Sequence, residues 1–145
     1  MAVQFNHTIV FSRDRDTSAH FLAEILGISV GEPFAMFLPV VTANGVTLDF
    51  LTVEFDIPRQ HYAFLVSEAD FDGILARLVE RGIPIHADPH GTVPGRINRN
   101  DGGRGVYFSD PSGHGMEAFT RPYGSDPSSP LNGVTEVVPG AKNAR

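Results

Sequence analysis

The sequence predicts an α+β fold built from two βαβββ modules. Three observations carry this. Short segments of period-two alternation outnumber helical ones, two helical stripes each end at a glycine, and the same order of elements occurs twice along the chain. In the first half, Phe5, His7, Ile9 and Phe11 alternate along one strand face. Asp16, Thr17 and Ser18 offer helix-start residues, and Phe21, Leu22, Ile25 and Leu26 recur at helical spacing until Gly27. Residues 28–30, 34–41 and 46–55 then read as strands, the last two joined through the hairpin signal Asn44-Gly45.

The second half follows the same plan. Residues 61–66 form a strand, and Ser67 is placed to cap a helix whose first turn holds Glu68 and Asp70. Phe71, Ile74, Leu75, Leu78 and Val79 make its apolar stripe, which Gly82 and Pro84 terminate. Residues 83–86, 105–109 and 115–121 read as strands, with a polar loop between the first two. His7 and His61 are offset by 54 residues, Gly27 and Gly82 by 55. The Gly45 to Asp49 interval matches Gly113 to Glu117 at an offset of 68, so an insertion falls within residues 87–103. The expected organisation is one domain over residues 1–121, with modules at about 4–56 and 60–121, and an arm or partly disordered tail over 122–145.

Composition narrows the function. A net charge of −6 without a basic stripe argues against nucleic acid as a partner. No apolar run is long enough to span a membrane, and Met1-Ala2-Val3-Gln4 lacks the pattern of a signal peptide, so the expected location is cytoplasmic. With no cysteine, any metal must be held by His, Asp and Glu. The repeat supplies such residues at equivalent places: a His opening each first strand (His7, His61) and a carboxylate in each last strand (Asp49, Glu117). Two imidazoles and one or two carboxylates suit a divalent first-row cation such as Fe, Mn, Ni or Zn. A carboxylate on an inward strand face also demands a cation or a donor, because burying it unpaired is costly.

The segment Phe108-Ser109-Asp110-Pro111-Ser112-Gly113-His114-Gly115-Met116-Glu117-Ala118-Phe119, in this order of elements, resembles the vicinal oxygen chelate superfamily, which includes glyoxalases, bleomycin resistance proteins and extradiol dioxygenases. The resemblance covers roughly residues 4–121. It implies paired βαβββ modules forming a cupped mixed sheet around a metal held by His7, His61 and Glu117, a small oxygen-bearing organic substrate, and a homodimer. Asp49 falls where glyoxalases place a further carboxylate ligand, but as the shorter Asp; unbound, it becomes a catalytic base. His90, in the inserted loop, is a second catalytic candidate, with His86 beside it. A three-ligand site leans toward dioxygenase-like or transferase-like chemistry, and a four-ligand one toward a lyase or isomerase. The alternative is a non-catalytic, antibiotic-binding protein of the bleomycin-resistance type. Arg96, Arg99 and Arg104 either hold an anionic substrate group or only solubilise the loop, the second reading being preferred. His114 reads as a surface turn residue, and Tyr123 as a residue within reach of a cavity.

Overall fold

The computed structural model describes residues 2–142. They form two compact units, one from residues 2–59 with 110–113, the other from residues 60–109 with 114–142. Among the described residues no helix is long and apolar enough to cross a membrane.

The first unit contains β1 (His7–Ser12), α1 (Arg15–Leu26), β2 (Leu38–Val41) and β3 (Thr47–Thr52). Asp14, rather than Asp16 or the residues after it, caps α1, its carboxylate accepting from the amides of Asp16 and Thr17. Gly27 ends the helix at φ 77°, a left-handed conformation that costs glycine little. The sheet runs β1-β3-β2, with β1 parallel and β2 antiparallel to β3. Strand alternation sends Val10, Leu48, Phe50, Leu38 and Val40 into the core, where α1 adds Ala19, Leu22 and Ile25. Each of the larger side chains contributes about 1.5–3 kcal/mol by leaving water. The opposite phase of β1 and β3 puts His7, Ile9, Thr47 and Asp49 on the other face.

The second unit contains β4 (His61–Leu65), α2 (Glu68–Glu80), β5 (Arg96–Asn98), β6 (Gly105–Ser109), β7 (Gly115–Phe119) and β8 (Thr135–Val137). Ser67 caps α2 as expected, accepting from the Asp70 amide at 3.0 Å. The sheet order is β4-β7-β6-β5-β8, and the β4–β7 pair is parallel like the β1–β3 pair. Phe71, Ile74 and Leu78 of α2 are buried, as are Val106, Phe108, Met116 and Ala118 of the strands.

Residues 28–30 and 83–86 are expected as strands, yet each shortens to one bridging residue. Val30 bridges Val40, and His86 bridges both Tyr107 and Pro94. In the second of these, Pro84 has no N–H to give a ladder. The inserted loop, by contrast, is more ordered than its polar sequence suggests. It holds β5 and a one-turn 3-10 helix at Asn100–Gly102, and β5 pairs with β8 of the C-terminal arm in the register Ile97↔Glu136.

Candidate metal-binding site

The chemistry of the second unit gathers on one face of its sheet. In register, Ala63 and Tyr107 both lie opposite Glu117, so His61, Glu117 and Tyr107 project to the same side. Phe108, Met116 and Ala118 fill the other side with apolar packing. Glu117 is 1% exposed, and its two oxygens have different partners. Oε1 stands 3.0 Å from Nε2 of His61, while Oε2 accepts the hydroxyl proton of Tyr123. With that proton committed, Tyr107 supplies the donor in the 3.1 Å contact between the two phenol oxygens.

Ring packing fixes these groups. Tyr107 stacks on His61 at 6.0 Å between centroids, and Tyr123 stacks on Phe119 at 5.2 Å. Burial pushes the Tyr107 hydroxyl up to about 12, with the Glu117 charge adding to the shift and the Tyr123 hydrogen bond opposing it. Burial, then the hydrogen bond to Glu117, raises Tyr123 further still. Both phenols therefore hold their protons at neutral pH and serve as donors.

The donor set fits a cation. Two ligand atoms each about 2.1 Å from one ion and at right angles to it stand about 3 Å apart. The gap between His61 Nε2 and Glu117 Oε1 accommodates either a shared proton or a cation in its place. His61 remains half exposed, which leaves one side of the pair open to a substrate or a further ligand.

In the first unit, His7 and Asp49 repeat this register. Ile9 lies opposite Asp49 as Ala63 lies opposite Glu117, so each carboxylate is diagonal to its histidine on one face. The outcome differs. Nδ1 of His7 contacts Oδ1 of Asn6 at 2.7 Å, and Asp49, one methylene shorter than Glu117, is half-buried. Among the described residues no group of three or more His, Asp or Glu side chains stands at metal-holding distance.

The remaining candidates separate clearly. His90 is exposed in the turn after Asp88, whereas His86 pairs directly with Tyr107 through the backbone and so lies beside the strand that carries it. His114 is fully buried, not a surface turn residue. Its Nδ1 accepts from the Gln60 amide at 3.0 Å and its ring meets Tyr62 edge-on. The arginines of the insertion hold the fold together. Arg96 donates to Thr135, Arg99 to Glu136, and Arg104 to Glu68 and Asp72 while covering the Phe71 ring. Tyr107 is the site residue that sequence reasoning misses. Its only signal is its cross-strand place opposite Glu117, which pairing alone reveals.

Comparison with known proteins agrees with this geometry. A family model described as "Glyoxalase/Bleomycin resistance protein/Dioxygenase superfamily" matches residues 4–118. A solved structure titled "Oxidase ChaP-H2" is 56% identical, with a TM-score of 0.85 over 87% of this chain and 99% of that one. A second, "Oxidase ChaP-H1", is 54% identical at a TM-score of 0.83, covering 85% of this chain and 99% of that one. A metallothiol transferase FosB of Lysinibacillus sphaericus is 32% identical over 83% of this chain and 84% of its own length.

Proposed function

The chain belongs to the glyoxalase/bleomycin resistance protein/dioxygenase superfamily, and on that footing we propose a divalent-metal-dependent enzyme that oxidises a small organic molecule, bound through its oxygen atoms, with dioxygen as the electron acceptor. The observation that carries this is the buried Glu117 carboxylate aimed at His61. His61 and Glu117 would hold the ion, and His7, the repeat equivalent of His61, is the third ligand in this reading. The metal belongs to the Fe, Mn, Ni and Zn group, which accepts imidazole and carboxylate together. When bound, such an ion supplies positive charge to an oxyanion of the substrate and, where redox-active, a path for electrons.

The chain's own groups divide the remaining work. Glu117 brings the negative charge that balances the cation. Tyr107, protonated at neutral pH, donates that proton to the Tyr123 oxygen and so offers only its oxygen lone pairs to a substrate hydroxyl. Asp49 is the candidate base, and His86 takes precedence over the exposed His90 as an acid–base residue near this face. Oxidation is preferred over a lyase or isomerase reaction for two reasons. The 56% identical relative is named an oxidase, and the shorter Asp49 suits a three-ligand site better than a four-ligand one.

Metal analysis of protein purified without chelator tests the assignment. About one equivalent of metal is expected in the wild type, with strong depletion in His7→Ala and His61→Ala. Asp49→Asn is expected to keep its metal while losing oxygen uptake with a diol or quinol substrate. Loss of metal from Asp49→Asn would instead make Asp49 a ligand and favour an isomerase-like site. A folded wild type that never retains added metal would end the proposal.

A homodimer accompanies this reading. Phe5, Ile9, Phe34, Met36, Val41 and Phe55 of the first unit are all large, apolar and exposed, the kind of surface a second copy covers. Light scattering coupled to gel filtration is expected to give twice the chain mass of 15.7 kDa.

A further inference from the structure

The insertion and the C-terminal arm are joined by contacts that a simple tether would not need. Asp101 is 6% exposed, adopts φ 56°, and points both carboxylate oxygens at the arm. Oδ2 accepts from the Gly124 amide at 3.1 Å, and Oδ1 from the Asp126 amide at 3.0 Å. Its own amide donates to Oδ1 of Asn132 at 2.7 Å, and the Gly133 amide donates to Oδ1 of Asn100 at 3.1 Å. A non-glycine residue in the left-handed region is disfavoured, Asp and Asn least so, and the surrounding bonds hold this one there.

Tyr123 immediately precedes the pinned Gly124. The residue as a whole is 64% exposed, yet its hydroxyl turns inward to the most enclosed carboxylate of the unit. The arm is also fastened a second time, through β8 on β5 and the Arg99–Glu136 pair at 2.8 Å. The Asp101 contacts are thus not what keeps the arm attached. Their specific result is the placement of residue 123.

We propose that Asp101 and Tyr123 form a positioning device for the metal-binding carboxylate. Asp101 fixes the turn, the turn fixes Tyr123, and Tyr123 occupies Oε2 of Glu117 so that Oε1 alone is presented beside His61 Nε2. This rests on the reading of His61 and Glu117 as metal ligands and adds two residues to it. A carboxylate limited to one ligating oxygen leaves an additional coordination position for substrate. Partners behind a ligand also fix its orientation and basicity, and their loss typically weakens metal binding about 10- to 100-fold.

The test uses the full-length protein stripped of metal and titrated with Co(II), read by the visible d–d bands and by competition with a chromophoric chelator. Tyr123→Phe and Asp101→Asn are each expected to weaken Co(II) binding by about tenfold or more and to alter the d–d spectrum, while the metal-free Tyr123→Phe protein stays folded at a lowered melting temperature because Oε2 of Glu117 loses its donor. Asn keeps one acceptor for the arm but turns the other into a donor facing an amide. The double variant is expected to bind no more weakly than the worse single one, because both act through one hydrogen bond. Wild-type affinity and an unaltered spectrum in Tyr123→Phe would overturn the device while leaving the metal site standing. Additive losses in the double variant would remove Asp101 from it. A wild type that binds no Co(II) would instead refute the metal site itself.

Discussion

Replacing Glu117 with glutamine is expected to lower metal affinity by about 100-fold or more and to abolish turnover, while leaving the metal-free protein folded. In the Glu117→Gln variant the side chain keeps its shape and can satisfy both neighbours, its carbonyl accepting from Tyr123 and its amide donating to Nε2 of His61. What the substitution removes is the negative charge, at a position only 1% exposed. A buried charge costs desolvation energy in the absence of a cation, and cation binding offsets that cost. The two forms should therefore respond with opposite sign. Without metal the variant should melt at or slightly above the wild-type temperature. With metal in excess the wild type should gain about 2.7 kcal/mol at a hundredfold excess over its Kd, and most of that gain should vanish in the variant. Melting curves with and without added metal check both halves. A variant that gains as much as the wild type would remove Glu117 from the ligand set.

The largest purely structural effect is expected at Phe71. Its ring is fully buried under α2, and the Arg104 guanidinium lies 4.5 Å from the ring centroid. Phe71→Ala deletes the ring, leaves a cavity and strips Arg104 of its apolar seat. Such truncations cost about 3–5 kcal/mol, a large share of the roughly 5–15 kcal/mol that holds a domain folded. For a chain of this size that corresponds to a fall in melting temperature on the order of 10 °C. Chemical denaturation should show a lower midpoint at an unchanged slope. Because α2 packs behind β7, the strand that carries Glu117, metal binding in the surviving folded fraction is expected to weaken less than in Glu117→Gln.

Much of this protein is readable because its regularities are local. The apolar stripe of α2, the Ser67 cap and the left-handed Gly27 follow from spacing and residue type over a few positions. The repeat is legible for a related reason. Equal intervals in sequence become equal registers in the sheet, so Asp49 stands to His7 as Glu117 stands to His61. Hairpin spacing also survives translation into structure, as the Asn44-Gly45 turn shows by linking β2 to β3. The reading overshoots at residues 28–30 and 83–86, which contribute single bridges in place of strands.

The sequence by itself determined the α+β class, the family and the inward carboxylate, because these depend on periodicity and on one distinctive Asp-Pro-x-Gly…Glu segment. Only the tertiary structure decided which groups surround that carboxylate. Tyr107 faces Glu117 through cross-strand pairing, Tyr123 reaches it through a turn pinned by Asp101, and β5 is a strand because β8 returns to pair with it. None of these is a matter of spacing. Each joins residues distant in sequence through contacts that exist once the chain has folded, and His114, which a turn motif places at the surface, is buried by the same kind of remote packing.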